Sequence, residues 1–488
     1  MHRLALLLLL AAGLCRAFPA HADLYRALSD YKKGDYPHAF QAFLALAKLG
    51  QPLAQLNVAE MYHAGQGTAW SDVHAYAWAM LAAANGEAAA EKLADEIRPT
   101  LAPGSERIAG WLTQSYSRAA LERTLLPVLS SETVHTPNAP VSDDAMTDCE
   151  RQEVSMYALP YPVAAQRARI EGTVLIEFTL MPDGRPRFPR IVYAVPIGVF
   201  ERVAKESLLR SRFSRAPPGS APVQCSIPYN FLLIQPGDLR SIESYERELG
   251  ISTKLGSEAK TGDPEAQQLY GLLLDGEPIS DYRIEAARRR GMPPPREGLA
   301  GLPWLVKAAQ GGMPVAQYEV AHDLMVGYGC RRDKAKALTW LRMAADQSQP
   351  NADIALAIRL LHGAPRAADV VRAKAWLARA AGSGTADGSQ DAQLLLAAVL
   401  AATPDSAIRD PRRALELLSK VDEPYEDPTP FEIRAAAEAA ESDFTHAVRS
   451  ERTALSRARQ LGWELAPLKE RLSRYASRKP WYGNLLEF

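Results

Sequence analysis

Residues 316–346 read AQYEVAHDLMVGYGCRRDKAKALTWLRMAAD, and this stretch decides the fold of most of the chain. It holds two segments with the apolar spacing of a helix, separated by a break at Gly327-Tyr328-Gly329. Each predicted helix is apolar along one stripe only, so one hairpin cannot complete a core and must stack on its neighbour. The stretch therefore predicts one unit of a helical solenoid.

The same pattern recurs along the chain, which is the signature of a repeat architecture. Three units place an alanine and a tryptophan 24 residues apart, namely Ala54 and Trp78, Ala316 and Trp340, and Ala352 and Trp376. More degenerate copies begin at Gly262 and Ser389. Small alanines let paired helices approach closely, and a tryptophan then fills the gap between hairpins, so we predict that the tryptophans lie in the core.

The residues AQY, GxG, KA, W and AA at this spacing resemble the Sel-one-like repeat family, a relative of tetratricopeptide repeats. The resemblance covers roughly residues 30–90 and 255–425 and implies protein–protein scaffolding. An insertion at 277–301 holds three consecutive arginines and three consecutive prolines. A proline run cannot continue a helix, so an exposed loop is expected there. The last hairpin and closing helix look like a tetratricopeptide-type end cap.

The apolar spacing changes from helical to alternating at Gly172, which predicts a separate domain. Two strands joined at Pro182-Asp183-Gly184, a helix and a last strand follow in order. The first strand directs one set of side chains inward (Val174, Ile176, Phe178, Leu180) and another outward (Thr173, Glu177, Thr179). The helix presents Phe200, Val203, Ala204, Ser207, Leu208 and Ser211 to the sheet, and the last strand directs Val223, Cys225, Ile227, Tyr229, Phe231 and Leu233 inward. We predict a small β-β-α-β domain of the α+β class.

Pro228 predicts where the last strand lies in this sheet. Proline has no amide proton to donate, so the strand is expected at an edge. An edge displays unpaired backbone groups with which a strand of another protein can pair. Residues 150–236 carry 11 Arg and Lys against 7 Asp and Glu, which favours an acidic peptide.

Three stretches of this domain closely resemble the TonB C-terminal domain: YPVAAQRARIEGTVLIEFTLMPDGR, VFERVAKESL and PVQCSIPYNFLL. In that family the domain pairs its edge strand with a short segment of an outer-membrane receptor, near a Tyr-Pro motif. The resemblance implies a partner-binding surface formed by Tyr161, Pro162, Val223, Gln224, Ser226, Ile227, Pro228, Tyr229, Asn230 and Phe231. One departure is Ser211-Arg212-Phe213-Ser214, where the family has an aromatic-Arg-aromatic pattern.

The N-terminus predicts export from the cytoplasm. Arg3 precedes an 11-residue apolar run from Leu4 to Leu14, and Ala20-His21-Ala22 has the small-x-small pattern of a signal-peptide cleavage site between Ala22 and Asp23. A membrane-spanning helix needs about 20 apolar residues, so no stable span is expected. A periplasmic location in a Gram-negative envelope follows. The alternative is an uncleaved signal anchor in the inner membrane.

Three cysteines would remain after cleavage: Cys149, Cys225 and Cys330. An oxidising compartment permits one disulfide bond. A bond between Cys149 and Cys225 would close a loop of 76 residues, worth about 4 kcal/mol in the chain-entropy model. The alternative for Cys225 is a buried thiol. Cys330 is predicted to be a buried thiol that forms no disulfide bond.

Composition and motifs narrow the classes of function. A net charge of −1 and a pI near 6.8 argue against nucleic acid and anionic membranes as partners. HExxH, CxxC, GxSxG and a phosphate-binding loop are all absent from the sequence. We therefore assign no catalytic, cofactor-binding or metal-binding residue, and we expect no enzyme, cofactor or small-molecule substrate.

These patterns divide the chain into a signal peptide (1–22), N-terminal repeats (23–128), a linker (129–148), a TonB-like domain (149–236), further repeats (237–425) and an end cap (426–488). The prediction is a multidomain periplasmic adaptor, with an α-helical solenoid flanking the α+β domain. Its partner is a protein, such as a TonB-dependent outer-membrane receptor or another envelope protein. A divergent TonB-type energy transducer in outer-membrane transport is the first alternative, and an enzyme with an unrecognised site is the second. N-terminal sequencing of the exported protein separates adaptor from transducer.

Overall fold

The computed structural model describes residues 23–129, 153–155, 161–168, 170, 172–195, 199–217, 220, 223–231, 254–276, 301–327, 329–362, 365–383, 386–421 and 427–485. Predicted features outside these residues are the signal peptide up to Ala22, the linker from residue 130, Cys149 at the start of the TonB-like domain, Leu233 of the last strand, and 277–300 of the insertion. They stay predictions.

The first group of helices follows Asp23, whose side chain accepts a hydrogen bond from the first turn of α1. These helices are α1 (Leu24–Lys32), α2 (Tyr36–Lys48), α3 (Pro52–Ala64), α4 (Asp72–Ala84), α5 (Ala88–Ile97), α6 (Ser105–Tyr116) and α7 (Arg118–Thr124). Gly65 ends α3 with a φ of 65°, a left-handed conformation that glycine adopts without a Cβ clash.

A second group of helices follows the small sheet domain. It comprises α10 (254–260), α11 (Pro264–Gly276), α12 (Leu302–Gln310), α13 (Pro314–Val326), α14 (Lys334–Asp346), α15 (Pro350–Leu361), α16 (Ala367–Ala381), α17 (Ala386–Ala402), α18 (Pro411–Leu418), α19 (Thr429–Ala440), α20 (Phe444–Gln460) and α21 (Ala466–Ala476). Within the sheet domain lie α8 (Val163–Ala168) and α9 (Glu201–Arg210).

The predicted repeat unit is present as the hairpin of α13 and α14. Gly327 ends α13 in the left-handed region, with a φ of 86°, and the chain then turns into α14. Trp340 is fully buried and Trp78 is 1% exposed, which confirms the predicted core positions. Trp376 is partly buried, against the cluster that contains Trp340 and against the next cluster along the chain.

The two groups of helices share one hydrophobic core, although the sheet domain separates them in sequence. Leu121 and Leu125 of the first group belong to a cluster with Leu302 and Trp340 of the second. The indole Nε1 of Trp340 donates a hydrogen bond to the carbonyl of Leu125 at 2.9 Å. Further bonds join Gln310 Nε2 to the Leu49 carbonyl at 2.7 Å and the Arg331 amide to the Val128 carbonyl at 3.0 Å. The sheet domain is therefore an insertion into one helical body.

The sheet domain contains a three-stranded antiparallel sheet in the order β3-β2-β5, where β2 is Gly172–Leu180, β3 is Pro186–Val195 and β5 is Val223–Phe231. A smaller pair joins β1 (Glu153–Ser155) to β4 (Arg212–Phe213). Helix α9 packs on β2 and β3. The predicted β-β-α-β core is confirmed, whereas α8 and the β1–β4 pair were not predicted.

The predicted inward faces are also confirmed for the described side chains. Val174, Ile176, Phe178 and Leu180 of β2 are buried, as are Cys225, Tyr229 and Phe231 of β5 and the six predicted residues of α9 and its ends. Thr179, predicted on the opposite face of β2, is also buried, at 1% exposed. The end of the sheet that holds Thr179 continues into the β2–β3 hairpin, which the helical body covers.

Candidate functional site

The two parts of the predicted partner-binding surface lie side by side. The Tyr161 ring meets the Phe231 ring edge-on, with centroids 6.0 Å apart, and the Phe200 ring at 5.7 Å. Phe200 stacks on Phe231 at 4.2 Å. The Tyr161 hydroxyl donates a hydrogen bond to the Ile170 carbonyl at 2.5 Å. The aromatic cluster therefore holds the Tyr161-Pro162 motif against the end of β5.

Strand β5 contributes mainly backbone to this surface. Tyr229 and Phe231 are buried in the core of the domain, and Ile227 is partly buried against it. Their side chains are thus committed inward. For Val223, Gln224, Ser226, Pro228 and Asn230 the structure describes the strand position and register, in which Pro228 lies opposite Leu175 and Ser226 opposite Glu177. Among the described residues, β5 pairs with β2 alone.

The other edge of the sheet is docked on the helical body. Phe188, at the start of β3, has a φ of 55° and enters the hydrophobic cluster formed by α15 to α19. Arg185 and Arg187 place their guanidinium carbons 5.4 and 5.2 Å from the centre of the Trp463 ring. A cation over an aromatic face is an attractive contact, and more so when water is excluded. The β2–β3 hairpin is therefore an anchoring element.

A buried ion network fixes the same hairpin. Arg187 lies 2.7 Å from Glu432 on α19, and Glu432 also lies 2.5 Å from Arg471 on α21. Arg471 in turn lies 3.0 Å from Glu451 on α20. All four side chains are 3% exposed or less. Charges removed from water in this way are stable only when paired, so the network links β3 to all three helices of the end cap.

Helix α9 forms a second contact with the cap. Leu209 is buried in a cluster with Ala454, Ala458 and Leu461. Beside it, Arg212 of β4 donates a hydrogen bond to the Leu461 carbonyl at 2.8 Å. The domain is thus held through β3, α9 and β4, whereas β5 lies on the opposite side of β2 from the docked strand.

The network makes the stability of the cap depend on pH. Burial raises the pKa of Glu451 from 4.5 to about 8, because loss of water disfavours the carboxylate more than Arg471 favours it. Between these two values the folded protein keeps a proton on Glu451 that the unfolded chain has released. The stabilisation from this proton is complete below about pH 4.5 and is lost as the pH rises to about 8.

We expect the urea midpoint of the cap to fall as the pH rises through this interval, and Glu451→Gln to remove that part of the slope. Urea titrations at several pH values check it, with exposed Glu464→Gln as the matched control. A slope that Glu451→Gln leaves unchanged would contradict this assignment.

Both described cysteines are buried. Cys225 is 1% exposed. Its predicted partner Cys149 lies outside the described residues, so the pairing stays a prediction. Cys330 is a free buried thiol, as predicted, and burial raises its pKa to about 12.

Within the described part of the chain, no helix combines the length and apolar character needed to cross a membrane. The same residues contain no group of three or more His, Cys, Asp and Glu side chains placed to hold a metal ion.

Comparison with known proteins identifies both kinds of module. The family model described as Gram-negative bacterial TonB protein C-terminal matches residues 157–233, and the Sel1 repeat model matches 52–87, 314–349, 350–384 and 390–420. Protein TonB of Klebsiella pneumoniae and that of Escherichia coli K12 are each 43% identical to this chain over 60 residues. The match covers 12% of this chain and 25% of each TonB protein.

Two solved structures are similar in their repeats. A Sel1 repeat protein from Oxalobacter formigenes has 21% identity and a TM-score of 0.32, over 49% of this chain and 98% of that one. A protective antigen of uropathogenic Escherichia coli with an SLR fold has 16% identity and a TM-score of 0.33, over 93% of this chain and 80% of that one. On the family matches, with the inserted sheet and the stacked hairpins described above, this chain combines a TonB C-terminal domain with a solenoid of Sel1 repeats.

Proposed function

We propose that this protein is a periplasmic, non-catalytic adaptor, in which β5 of the TonB C-terminal domain binds an extended segment of an envelope or outer-membrane protein by strand addition. The observation that carries the proposal is the asymmetry of the sheet. One edge, β3, is fixed to the helical body, whereas β5 pairs with β2 alone among the described residues. The predicted signal peptide and Cys149–Cys225 bond belong to the same proposal, since both fit an oxidising periplasm.

The backbone pattern of β5 indicates which groups a partner strand would meet. Residues of an antiparallel strand alternate between pairing with their neighbour and pointing away from it. Pro228 cannot donate a hydrogen bond, and the register with β2 runs unbroken past it, so its position is assigned to the outer side. By the same alternation, the backbone groups of Ser226 and Asn230 are expected on that outer side too. The Pro228 carbonyl can still accept a hydrogen bond from a partner strand.

Charge supports an acidic partner segment. Residues 150–236 carry an excess of four positive charges, as 11 Arg and Lys stand against 7 Asp and Glu. Such an excess attracts acidic peptides and repels basic ones, which affects selectivity and association rate more than affinity. Main-chain hydrogen bonds along β5 would supply the affinity.

Ser226→Pro tests the proposal, because it removes one outward amide donor while leaving the ladder to β2 intact. We expect it to weaken binding of a fluorescein-labelled peptide of alternating valine and glutamate about tenfold, equivalent to about 1.4 kcal/mol. Fluorescence anisotropy with the full chain measures this. Ser226→Ala, which keeps the amide, is the matched control and should bind as the wild type does.

A peptide methylated on alternate backbone nitrogens gives an independent reading, because it keeps its side chains and charge but cannot pair along one edge. Thermal unfolding of Ser226→Pro establishes that the variant is folded. Equal binding of the plain and methylated peptides by the wild-type chain would refute strand addition, whatever the variant does.

A further inference from the structure

The end cap carries a second concave surface, remote in sequence from β5. Helices α20 and α21 enclose an open groove of about 890 Å³. Four arginines line it, at Arg449, Arg452, Arg457 and Arg478, and no carboxylate is among the lining residues. We define these four arginines and the groove between them as the arginine groove.

The cap as a whole, residues 426–488, holds ten Arg and Lys and ten Asp and Glu, and Asp443 attracts Arg449, but the part that forms the groove is basic. Residues 444–479 hold nine Arg and Lys but three Asp and Glu. Of those three acids, Glu451 is turned to the opposite face of α20, where it is buried beside Arg471. Glu464 and Glu470 lie outside the lining. The fold therefore places the acid of α20 inside and its arginines outside.

Two of the arginines have no partner of their own. Within the described residues, Arg452 and Arg478 form no ion pair and no side-chain hydrogen bond, and both are exposed. Arg457 is positioned at the rim by Phe431, whose ring centre lies 4.1 Å from the guanidinium carbon. Like charges along one helix face repel each other, so an anion in the groove would relieve that repulsion.

The remaining lining suits a peptide. Phe444 and Val448 are partly exposed apolar side chains, and Thr445, Ser456 and Gln460 are exposed groups that can exchange hydrogen bonds. The volume is within the range of pockets that take a short ligand segment. A nucleic acid would need a broad basic face, whereas this chain has a net charge of −1.

We propose that the arginine groove binds an acidic segment of a partner protein, as a second docking site independent of strand addition at β5. Guanidinium groups pair with carboxylates in a two-pronged geometry, which suits such a site to the side chains of Asp and Glu. An adaptor with two separate sites gains affinity for one partner through the higher effective concentration at the second site.

The test measures binding of a fluorescein-labelled (Glu-Glu-Leu)4 peptide to the full chain by anisotropy. We expect the double variant Arg452→Glu, Arg478→Glu to bind at least tenfold more weakly than the wild type. Arg459→Glu is the matched control, since Arg459 lies on the same helix, is exposed and is not in the groove. It should change binding less than twofold, and Ser226→Pro should not change it at all.

Three results would overturn the proposal. The first is an equal loss of binding with Arg459→Glu, which would show unspecific charge attraction. The second is tighter binding of phosphatidylglycerol vesicles or of single-stranded DNA through the same arginines. The third concerns residues 130–150, which hold five Asp and Glu and no Lys or Arg. A tenfold gain in peptide affinity when Asp143, Asp144 and Asp148 become Asn would show that the groove serves the chain's own segment.

Discussion

Glu432→Ala is expected to destabilise the end cap by about 3–5 kcal/mol, because it leaves two buried guanidinium groups, Arg187 and Arg471, without the carboxylate that pairs with both. Glu432 is the only member of the network that contacts both arginines among the described residues. Urea unfolding followed by tryptophan fluorescence measures the effect, since buried Trp463 lies in the cap. The sheet hairpin should open with the cap, because Arg187 then has no ionic partner there.

A matched control comes from the opposite end of the same helix, where Glu441 follows the last residue of α19. Glu441→Ala removes an exposed carboxylate that pairs with Arg412 at 3.0 Å, and a solvated pair of this kind contributes little. Its urea midpoint should stay close to that of the wild type. Replacing Arg187 with Met and Glu432 with Leu together should recover part of the loss, because an apolar pair needs no compensation for lost water. Equal midpoints for Glu432→Ala and Glu441→Ala would contradict the network's role.

Much of the fold could be predicted because the spacing of apolar residues along the chain identifies its helices and strands. The alternation in Val174, Ile176 and Phe178 identifies an inward strand face, and the spacing of Trp340 from Ala316 identifies a repeat hairpin. The docking of the sheet domain could not be predicted. Arg187 and Glu432 are 245 residues apart, and neither stands in a pattern that indicates the other.

For the candidate site too, the local pattern could be predicted but the long-range contacts could not. Pro228 indicates that β5 is an edge strand, and the structure agrees for the residues that it describes. Which of the two edges is anchored depends on the contacts of Phe188, whose left-handed backbone no strand pattern predicts. The arginine groove is visible in sequence only as scattered charges. Which side chains line it depends on the packing of α20 on α21, since Glu451 is turned inward beside Arg471.

The shared core of the two helical groups leads to the second large effect. Trp340 is fully buried and its Nε1 donates a hydrogen bond to the Leu125 carbonyl at 2.9 Å. Trp340→Ala would leave a cavity between the groups and a buried carbonyl without its donor. We expect a loss of about 3–5 kcal/mol from the cavity alone. Hydrogen exchange of α7 should rise together with that of α14, because one side chain supports both.

Trp340→Phe separates the two contributions, since it keeps most of the ring and removes only the indole donor. It should be destabilised much less, by about 1–3 kcal/mol for the unpartnered carbonyl. Trp111→Ala is the control for loss of a tryptophan, because Trp111 is 67% exposed, and its urea midpoint should hardly move. If α7 kept its protection in Trp340→Ala while α14 lost it, the first helical group would be stable without the second. The sheet domain would then lie between two independent arrays, and the insertion into a single helical body would be wrong.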